Sequence, residues 1–487
     1  MSSGVEVRSM TAAAKESPLA AVVLAAGLGT RMNSARAKVL HQIGGEPLIG
    51  RALRAIAPLN PWPVIVVVGY QADEVADAAR RALANATIRF ARQLEPRGTG
   101  DALRCALKEL AADFHRAVLI VYGDLPALRP ETIEAFRRAH CERHAPLSFI
   151  SVELIKPGGY GRVIRSGTGD VEAIVEARDA SPVQRALKEI NTGVYLADAD
   201  FLRSAIEELK PDTSQGEYYL TDLVAIARRR GLPVLAWRGD NPHEFAGVNT
   251  REELARMERE NRERINAALM ARGVTLVDPM TAYIGEQVEI GADTVIGPNV
   301  QIIGQSKLGA GVRIEGTAYL SDVTIGAGCL IKLGVRAEEC EIGPNCDIGP
   351  FANLRAGTIL AGDNRIGNFV ETKQARIGRG TKASHLSYLG DAVIGSETNV
   401  GCGVITVNYD GYDKHLTQIG DRCMIGCDTQ LVAPVKVGSD VYVASGTTIL
   451  QEVEDGALVM SHHPQRKKPG WMMGWRKRHE KADAHTA

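Results

Sequence analysis

The chain has 487 residues, of which 45% are hydrophobic and 24% are charged. This length predicts two or more domains, and this composition excludes a protein that is mostly disordered. The net charge is −1, from 57 basic and 58 acidic residues, so no overall field favours nucleic acid or an anionic membrane as a partner.

The sequence contains no run of 18 apolar residues, and it therefore predicts no membrane-spanning helix. Its eight cysteines include no CxxC pair and no Cys/His spacing typical of a metal site. We expect the thiols to be reduced and the protein to be cytoplasmic.

Short apolar runs alternate with helical patterns between residues 18 and 249, after a flexible polar extension at 1–17. The strand-like runs are Ala20–Ala26, Val64–Val68, Ala117–Val121, Ser148–Val152 and Val234–Trp237. Helical spacing is present in Ala72–Leu83 and Asp101–Leu110. This alternation predicts an α/β domain in which helices cover both faces of a parallel sheet.

Residues 250–273 predict one long helix that connects two domains. Thr250 and Glu253 have the spacing of a capping box, and Gly273 is typical of a helix stop. Between them the sequence is rich in Arg and Glu, with apolar residues at helical spacing.

Aliphatic residues recur every six positions through much of residues 274–465, and glycine follows many of them. One unbroken run is Ile284, Ile290, Ile296, Ile302, Leu308 and Ile314. A period of six is typical of a β-helix in which three short strands complete each coil, whereas a β-sandwich would show a period of two. Residues 466–487 are basic, and we expect a solvated C-terminal tail rather than a nucleic-acid-binding segment.

The segment from Leu24 to Met32, with the sequence LAAGLGTRM, directly follows the first predicted strand. Its glycines would allow the backbone to approach phosphate groups, whose charge Arg31 and Lys38 would balance. A glycine-rich loop alone is weak evidence, whereas the whole string with a downstream lysine is far more specific.

That string, followed by KVLH at 38–41, resembles the signature of sugar-nucleotide pyrophosphorylases. Together with the hexapeptide half, residues 18–472 resemble the bacterial bifunctional N-acetylglucosamine-1-phosphate uridyltransferase/glucosamine-1-phosphate acetyltransferase family. The resemblance implies a Rossmann-like nucleotidyltransferase domain, a linker helix and a left-handed parallel β-helix. It also implies acetyl transfer in the second half, UMP transfer in the first, UTP and acetyl-CoA as substrates, Mg²⁺ as cofactor and a homotrimer.

For the first half, the resemblance assigns catalytic roles on the phosphates to Arg31 and Lys38. It assigns binding of the nucleotide and the sugar to a larger set: Leu24, Ala25, Ala26, Gly27, Lys38, Gln93, Gly98, Thr99, Tyr122, Gly123, Asp124, Gly161, Glu176, Asn191 and Asn249. Asp124 and Asn249 would hold Mg²⁺, which prefers oxygen ligands. Taken alone, each of these two residues would be interpreted as a turn or helix-cap residue.

For the second half, the spacing of candidate polar residues predicts a cluster on adjacent coils. Arg355 and Lys373 would hold the sugar phosphate, and Glu371 and His385 would form a carboxylate–imidazole pair, with Tyr388 and Asn399 nearby. His385 would be the base that accepts a proton from the attacking amine. A lone histidine is more often structural, but KASHLSYLG at 382–390 resembles the acetyltransferase signature of the family. The resemblance further implies acetyl-CoA contacts at Cys402, Asn408, Tyr409, Cys427, Ser445 and His462.

The sequence departs from the family pattern at a few of these places. Ala37 stands where proline is common, and Pro96 and Arg97 stand in a segment that is usually uncharged. Cys427 replaces a frequent serine, and His462 replaces a frequent arginine that can hold a CoA phosphate. The last two changes predict weaker contacts to acetyl-CoA.

Three alternative functions fit the sequence less well. A pyrophosphorylase with a purely structural β-helix would not need the cluster of His385, Glu371 and Lys373. A zinc-binding β-helix of the γ-carbonic anhydrase kind needs three grouped histidines, and the repeats contain only His385 and His415. A non-catalytic scaffold would not need the phosphate-binding loop.

Overall fold

The computed structural model describes residues 19–84, 86–211, 216–461 and 466–483. The chain forms two compact units, which divide in sequence between Asn261 and Arg262. The extension predicted at 1–17 and the tail residues 484–487 lie outside the described residues.

The α-helices, numbered in chain order, include one short helix of four residues and one long helix of 21 residues. They are α1 Leu48–Ile56, α2 Ala72–Ala82, α3 Thr99–Lys108, α4 Pro130–Arg143, α5 Pro182–Arg185, α6 Ala199–Ile206, α7 Asp222–Arg229, α8 Arg251–Ala271 and α9 Trp471–Asp483. Single 3-10 turns occupy Thr30–Met32, Lys38–Leu40, Ala57–Leu59 and Pro242–Phe245.

The first unit contains a nine-stranded sheet and a small two-stranded one. Its strands are β1 Leu19–Leu24, β2 Gln42–Ile43, β3 Glu46–Pro47, β4 Val64–Val68, β5 Ile88–Arg92, β6 Ala117–Tyr122, β7 Leu147–Glu153, β8 Arg162–Arg165, β9 Val171–Val175, β10 Glu189–Asp198 and β11 Val234–Arg238. The main order is β11-β7-β10-β6-β1-β4-β5, with β8 and β9 attached beside β10.

Two hydrophobic cores cover the two faces of this sheet, as the sequence predicts. Along β1, Ala20 and Val22 belong to one core, whereas Ala21 and Val23 belong to the other. Alternate side chains of a strand point to opposite faces, so a strand that is apolar throughout must be covered on both sides.

The prediction of a parallel sheet is wrong around β10. Strand β10 runs antiparallel to β6, β7 and β8, and β8 runs antiparallel to β9. Both faces of β10 are buried along most of its length. Its apolar pattern therefore cannot reveal its direction, because burial on two faces looks the same for parallel and antiparallel strands.

The second unit is a 26-stranded parallel β-helix of very short strands. Strands β12 to β37 are Thr275–Leu276, Tyr283–Ile284, Glu289–Ile290, Val295–Ile296, Val300–Ile303, Lys307–Leu308, Arg313–Ile314, Ala318–Ser321, Thr324–Ile325, Leu330–Ile331, Arg336–Glu338, Glu341–Ile342, Asp347–Ile348, Asn353–Leu354, Ile359–Leu360, Arg365–Ile377, Lys382–Ile394, Asn399–Val400, Ile405–Val407, Thr417–Ile419, Met424–Ile425, Gln430–Val432, Val435–Val437, Tyr442–Val443, Thr448–Ile449 and Leu458–Val459. In the first coils each strand pairs with the third strand after it, as β12 does with β15. Three strands therefore complete one coil, as the six-residue period predicts.

The coils differ in length. Ile284 pairs with Ile302, which is a step of 18 residues, but Ala383 pairs with Ile366 and with Val400, which are steps of 17. The next step, from Val400 to Ile425, is 25 residues because an extra loop at 408–416 interrupts the repeat. These changes of step move side chains relative to a strict 18-residue repeat.

A capping box begins helix α8, as predicted. The backbone N–H of Thr250 donates to Glu253 Oε2 at 3.1 Å, and the N–H of Glu253 donates to Thr250 Oγ1 at 3.1 Å. Helix α9 lies within the segment predicted as a solvated tail; its described residues from Trp471 to Lys477 are exposed except Gly474. No helix in the described part of the chain has the length and apolar character needed to cross a membrane.

Candidate functional sites

The first candidate site lies at the carboxyl ends of β1 and β6, which are adjacent in the sheet. Leu24 and Tyr122 are paired at the last position of these strands, so Ala25 and Gly123 begin neighbouring loops. Gly29 has a φ of +64°, and a Cβ there would lie 2.5 Å from Lys38 Cβ. Glycine at this position allows the loop to fold back against the segment that carries Lys38.

Four predicted site residues meet beyond these strand ends. The Lys38 ammonium contacts both Asp124 Oδ2 and, at 3.0 Å, Asn249 Oδ1. Arg31 Nη2 also donates to Asn249 Oδ1, at 3.0 Å. A carboxylate oxygen and an amide oxygen thus face one cation, which is the donor set that suits a divalent metal ion. The described residues contain no group of three or more His, Cys, Asp or Glu side chains arranged to hold a metal.

One departure from the family pattern, alanine in place of proline at position 37, has a structural consequence. Its backbone N–H donates to Gln71 Oε1 at 2.6 Å, directly before the turn that carries Lys38. Proline has no N–H and could not make this bond. Gln71 therefore stabilises the Lys38 turn in a way that the common family residue would not allow.

A pocket of 270 Å³ opens beside this loop. It is lined by Ala26, Leu28, Gly69, Tyr70, Arg92, Gln93, Leu94 and Pro96. Gln93 is buried, and its Nε2 donates to Gly98 O at 3.0 Å and to Asp101 Oδ2 at 2.9 Å. These two bonds occupy the amide NH₂ group and present the side-chain oxygen as an acceptor. The sequence analysis missed Tyr70 and Arg92, for which no motif gave a signal.

Gly98 and Thr99 support the same region through the backbone. Gly98 has a φ of +93°, and a Cβ there would lie 2.6 Å from Tyr218 O. Thr99 Oγ1 accepts a hydrogen bond from Leu220 N at 3.0 Å. Pro96 lines the pocket and Arg97 forms an ion pair with Glu95, so the unusual charge at 97 is balanced locally.

The predicted sugar-binding residues lie on β8 to β10 and their connections. Gly161 O accepts from Asn191 N at 3.0 Å, and a Cβ on Gly161 would lie 3.7 Å from Glu176 Oε1. Asn191 is buried, and its Nδ2 donates to Tyr195 Oη at 2.7 Å. Burial raises the pKa of Glu176, while a hydrogen bond from Thr221 Oγ1 at 3.0 Å partly opposes this shift. The structure therefore brings Gly161, Glu176 and Asn191 together.

The second candidate site lies on the β-helix. The pairing of Leu354 with Thr372 places Arg355 and Lys373 at equivalent positions of successive coils, and Glu371 is paired with Tyr388. Arg355 Nη1 donates to Glu371 Oε1 at 2.8 Å. Of the residues predicted for this site, Arg355, Glu371, Lys373 and Tyr388 form one group on a single face of the β-helix.

Lys414, from the extra loop, joins this group. Contact with Lys414, together with the charge of Arg355, lowers the pKa of Lys373. Three cations that lie together in this way form a site for an anion. Asn408, from the same loop, is buried and donates to Asp391 Oδ2 at 2.5 Å and to Tyr388 Oη at 3.3 Å.

The predicted pair of Glu371 and His385 is not formed. His385 is exposed and its Nδ1 lies 3.3 Å from Asn368 Oδ1, while Glu371 contacts Arg355. The two residues are only 14 positions apart in the sequence, and the 17-residue step places Asn368, not Glu371, opposite His385, and Tyr388 opposite Glu371. The sequence analysis missed Asn368, which a 17-residue repeat would have identified.

A column of exposed side chains continues from His385 along the β-helix. The pairings of Ala383 with Val400, Val400 with Ile425, and Ile425 with Val443 place His385, Cys402, Cys427 and Ser445 at equivalent positions of four successive coils. Tyr409 is exposed on the extra loop. Asn399 is instead paired with Lys382, so this chain does not bring it into the group around Tyr388. His462 lies outside the described residues.

Family models match both halves of the chain. Residues 21–265 match the MobA-like NTP transferase domain. Residues 279–368 match the GMPPB C-terminal domain, and residues 416–451 match six bacterial transferase hexapeptide repeats.

Similar full-length proteins share one name, "Bifunctional protein GlmU". The protein of Trichlorobacter lovleyi is 44% identical over 454 residues, which cover 93% of this chain and 98% of that protein. The protein of Pelobacter propionicus is 45% identical over 460 residues, which cover 94% of this chain and 99% of that protein. The protein of Geotalea uraniireducens is 43% identical over 455 residues, with 93% and 99% covered.

Proposed function

Because this chain belongs to the family of the bifunctional GlmU proteins, it is an enzyme with two transferase activities, and we propose which residues perform each one. Its left-handed β-helix transfers an acetyl group from acetyl-CoA to the amine of glucosamine 1-phosphate. Its Rossmann-like unit transfers UMP from UTP to N-acetylglucosamine 1-phosphate and releases pyrophosphate. We assign residues 18–249 to the uridylyltransferase, 250–273 to the linker helix and 274–465 to the acetyltransferase.

The convergence of Arg31 and Lys38 on Asp124 and Asn249 supports the assignment of uridylyl transfer. The sugar phosphate is already an anionic nucleophile, so in-line attack on the α-phosphorus of UTP needs no general base. Arg31 and Lys38 balance the charge that moves toward the leaving pyrophosphate. The family uses a divalent metal, and we assign Mg²⁺ to the oxygens of Asp124 and Asn249. When bound, Mg²⁺ supplies positive charge to the triphosphate.

The pocket beside Gln93 accounts for recognition of uracil. Since the Gln93 NH₂ group is held by Gly98 and Asp101, its side-chain oxygen can accept a hydrogen bond from the base. Uracil has an N3–H that can donate this bond, whereas cytosine has an acceptor at N3. Gln93 thereby favours UTP over CTP, because two acceptors facing each other leave a buried group unpaired. Glu176, Asn191 and Gly161 hold the sugar.

His385 accepts the proton in the second reaction, and Asn368 orients its ring. Because Asn368 Oδ1 is an acceptor, it favours the tautomer with a proton on His385 Nδ1 and leaves Nε2 as a base. Nε2 accepts a proton from the amine as that amine attacks the thioester carbon and CoA thiolate leaves. Arg355, Lys373 and Lys414 hold the sugar phosphate, and Glu371 orients Arg355.

The column of His385, Cys402, Cys427 and Ser445 is the binding surface for acetyl-CoA. Each coil adds one exposed side chain to the column at a spacing of about 4.8 Å. A long, narrow cofactor arm that lies along this column would bring its thioester to His385. Cys402 and Cys427 offer little hydrogen bonding to that arm, because a thiol is a weak donor.

Separate knockouts of the two sites test the proposed function. We expect His385→Ala to abolish release of the CoA thiol from acetyl-CoA and glucosamine 1-phosphate, but to leave pyrophosphate release from UTP and N-acetylglucosamine 1-phosphate unchanged. Asp124→Ala should do the reverse. His415→Gln is a control for histidine loss, since His415 bonds Asp410 within the extra loop. Loss of both activities in either variant, or retention of acetyl transfer in His385→Ala, would contradict the proposal.

A further inference from the structure

Arg162 is a buried cation in the first unit whose partners are unusual. Its residue surface is only 3% exposed, and burial lowers the pKa of its guanidinium. Within the described part of the chain, its hydrogen-bond acceptors are three carbonyl oxygens: those of Tyr160, of Gly158 at 3.0 Å and of Arg185 at 3.3 Å. Burying a guanidinium without a carboxylate partner has a high desolvation cost, so the buried position of Arg162 contributes little net stability to the fold.

The three carbonyl groups belong to segments around the proposed sugar site. Gly158 and Tyr160 lie in the loop that leads to Gly161, and Arg185 ends the short helix α5. The carbonyl end of a helix carries partial negative charge, which favours a cation there. Arg162 thus fixes the conformation of the loop directly before Gly161.

Tyr160 connects this loop to the proposed metal site. Its hydroxyl oxygen accepts a hydrogen bond from Gly247 N at 3.1 Å, two residues before Asn249. Val248 N, between them, donates to Asp124 O at 3.1 Å. The Tyr160 oxygen and Asp124 Oδ2 are each 3.9 Å from the position that a Cβ on Gly247 would occupy. The hydroxyl is therefore placed where the two proposed metal ligands approach each other.

We infer that Tyr160 and Arg162 are positioning residues for uridylyl transfer: Arg162 fixes the backbone of Tyr160, and the Tyr160 hydroxyl fixes the segment that carries Asn249. The inference rests on the proposed uridylyl site and extends it. This pair of residues links the proposed sugar site to the proposed metal site, so that Gly161 and Asn249 keep a fixed position relative to each other. Packing alone would not require this hydroxyl, because the aromatic ring of Tyr160 already contacts the hydrophobic core.

Tyr160→Phe tests this inference because it keeps the ring and removes only the hydroxyl. The probe is Mn²⁺ in the presence of UTP, with free Mn²⁺ measured by electron paramagnetic resonance. We expect the Kd for Mn²⁺ to rise about tenfold, as when a group that orients a metal ligand is removed. The KM for N-acetylglucosamine 1-phosphate should rise as well, while acetyl transfer by the same protein stays unchanged.

Arg162→Lys keeps the charge but cannot bond all three carbonyl groups, so it should change both constants in the same direction. Arg165→Lys is the matched control, because Arg165 lies on the same strand, is exposed and pairs with Glu189. The effects of Tyr160→Phe and Arg162→Lys should be less than additive in the double variant, since they act through one connection.

A Tyr160→Phe protein with unchanged Kd for Mn²⁺ and unchanged KM would overturn the inference. So would an Arg162→Lys protein that has only a lower melting temperature. These outcomes differ from failure of the proposed function, in which the unsubstituted chain itself would release no pyrophosphate from UTP and N-acetylglucosamine 1-phosphate.

Discussion

At the scale of single residues, the backbone at Gly29 controls where Lys38, the proposed catalytic lysine, lies. The positive φ at this position is disfavoured for other residues, and the space for a Cβ is taken by Lys38 itself. The hydrogen bond from Ala37 N to Gln71 fixes the next part of the same turn. Lys38 is therefore positioned by neighbours that do no chemistry of their own.

We expect Gly29→Ala to lower uridylyl transfer about a hundredfold, because a displacement of about 1 Å in a positioned group has an effect of that size. Acetyl transfer should not change. Gly167→Ala is a suitable control, since a Cβ at Gly167 would meet nothing within 4 Å. Pyrophosphate release measures the effect, and equal rates for the two variants would contradict this role of Gly29.

The burial of His140 predicts that the stability of the first unit depends on pH. It is buried, its Nδ1 lies 2.8 Å from Ser148 Oγ, and burial lowers its pKa below the ordinary value of 6.5. The unfolded chain then binds more protons than the folded chain when the pH falls below about 6.5. The stabilising contribution of neutral His140 is present above that pH and is lost as the pH falls toward the folded pKa.

Replacing His140 by Gln should flatten this dependence. The melting temperature of the unsubstituted protein should fall more steeply between pH 7 and pH 5 than that of His140→Gln. Thermal unfolding followed by circular dichroism at several pH values measures the difference. Parallel curves for the two proteins would show that another group is responsible.

At the scale of elements, the β-helix depends on a row of small buried polar residues at its turns. Thr398 Oγ1 donates to Gly420 O at 2.9 Å and accepts from Cys423 N at 3.0 Å. Cys423 repeats this arrangement one coil later, with its Sγ 3.0 Å from Gly438 O. The buried cysteines at 329 and 423 thus take the place of hydroxyl residues, and all eight cysteines are free thiols.

Thr398→Val should destabilise the β-helix by about 1–3 kcal/mol, because it leaves the buried Cys423 N–H and Gly420 carbonyl without this partner. Thr324→Val removes a hydroxyl from an exposed strand position and serves as the control. Urea denaturation followed by circular dichroism gives both values. A Thr398→Val loss no larger than that of the control would contradict the role of this hydroxyl.

The sequence predicted the elements better than it predicted their exact alignment. The six-residue period identified the β-helix because one inward-facing aliphatic residue recurs in each short strand and three such strands complete a coil. The same period did not identify the partner of His385, because a 17-residue step pairs it with Asn368, whereas Glu371 is only 14 residues away in the sequence. Strand β10 was not among the predicted strands, and its burial on both faces contains no information about its direction.

The sequence analysis grouped residues correctly only where a motif accompanied them. The string at 24–32 and the following KVLH at 38–41 singled out Lys38, and the structure brings Lys38 to Asp124 and Asn249. Asn368 and Tyr70 belong to no motif that the sequence analysis used, and Tyr160 was not assigned a role although it directly precedes Gly161. Their positions depend on which strands and loops become neighbours after folding.

At the scale of the whole molecule, the chain forms two compact units, and each carries one of the two proposed sites. Each unit has its own core and its own group of polar residues. The residues proposed for uridylyl transfer all come from the first unit. Asn399, in contrast, lies away from the residues with which it was predicted to bind the sugar phosphate.

We propose that the protein is a homotrimer, in which a neighbouring chain can supply Asn399 to the group around Tyr388. Hexapeptide-repeat proteins commonly assemble in this way, and closed symmetry repeats one interface around an axis. Light scattering after size-exclusion chromatography should give three times the mass of the chain. A monomer with full acetyltransferase activity would contradict both the assembly and the supply of Asn399 in trans.

The column of side chains from His385 to Ser445 has a defined length as well as a surface. Its four side chains come from four successive coils, so its ends are about 14 Å apart at about 4.8 Å per coil. In the proposed binding mode, the column therefore requires a substrate arm of a certain length, measured in steps of one coil. An acyl carrier whose arm is one coil spacing too short could bind at Ser445 and still leave its carbonyl out of reach of the His385 imidazole.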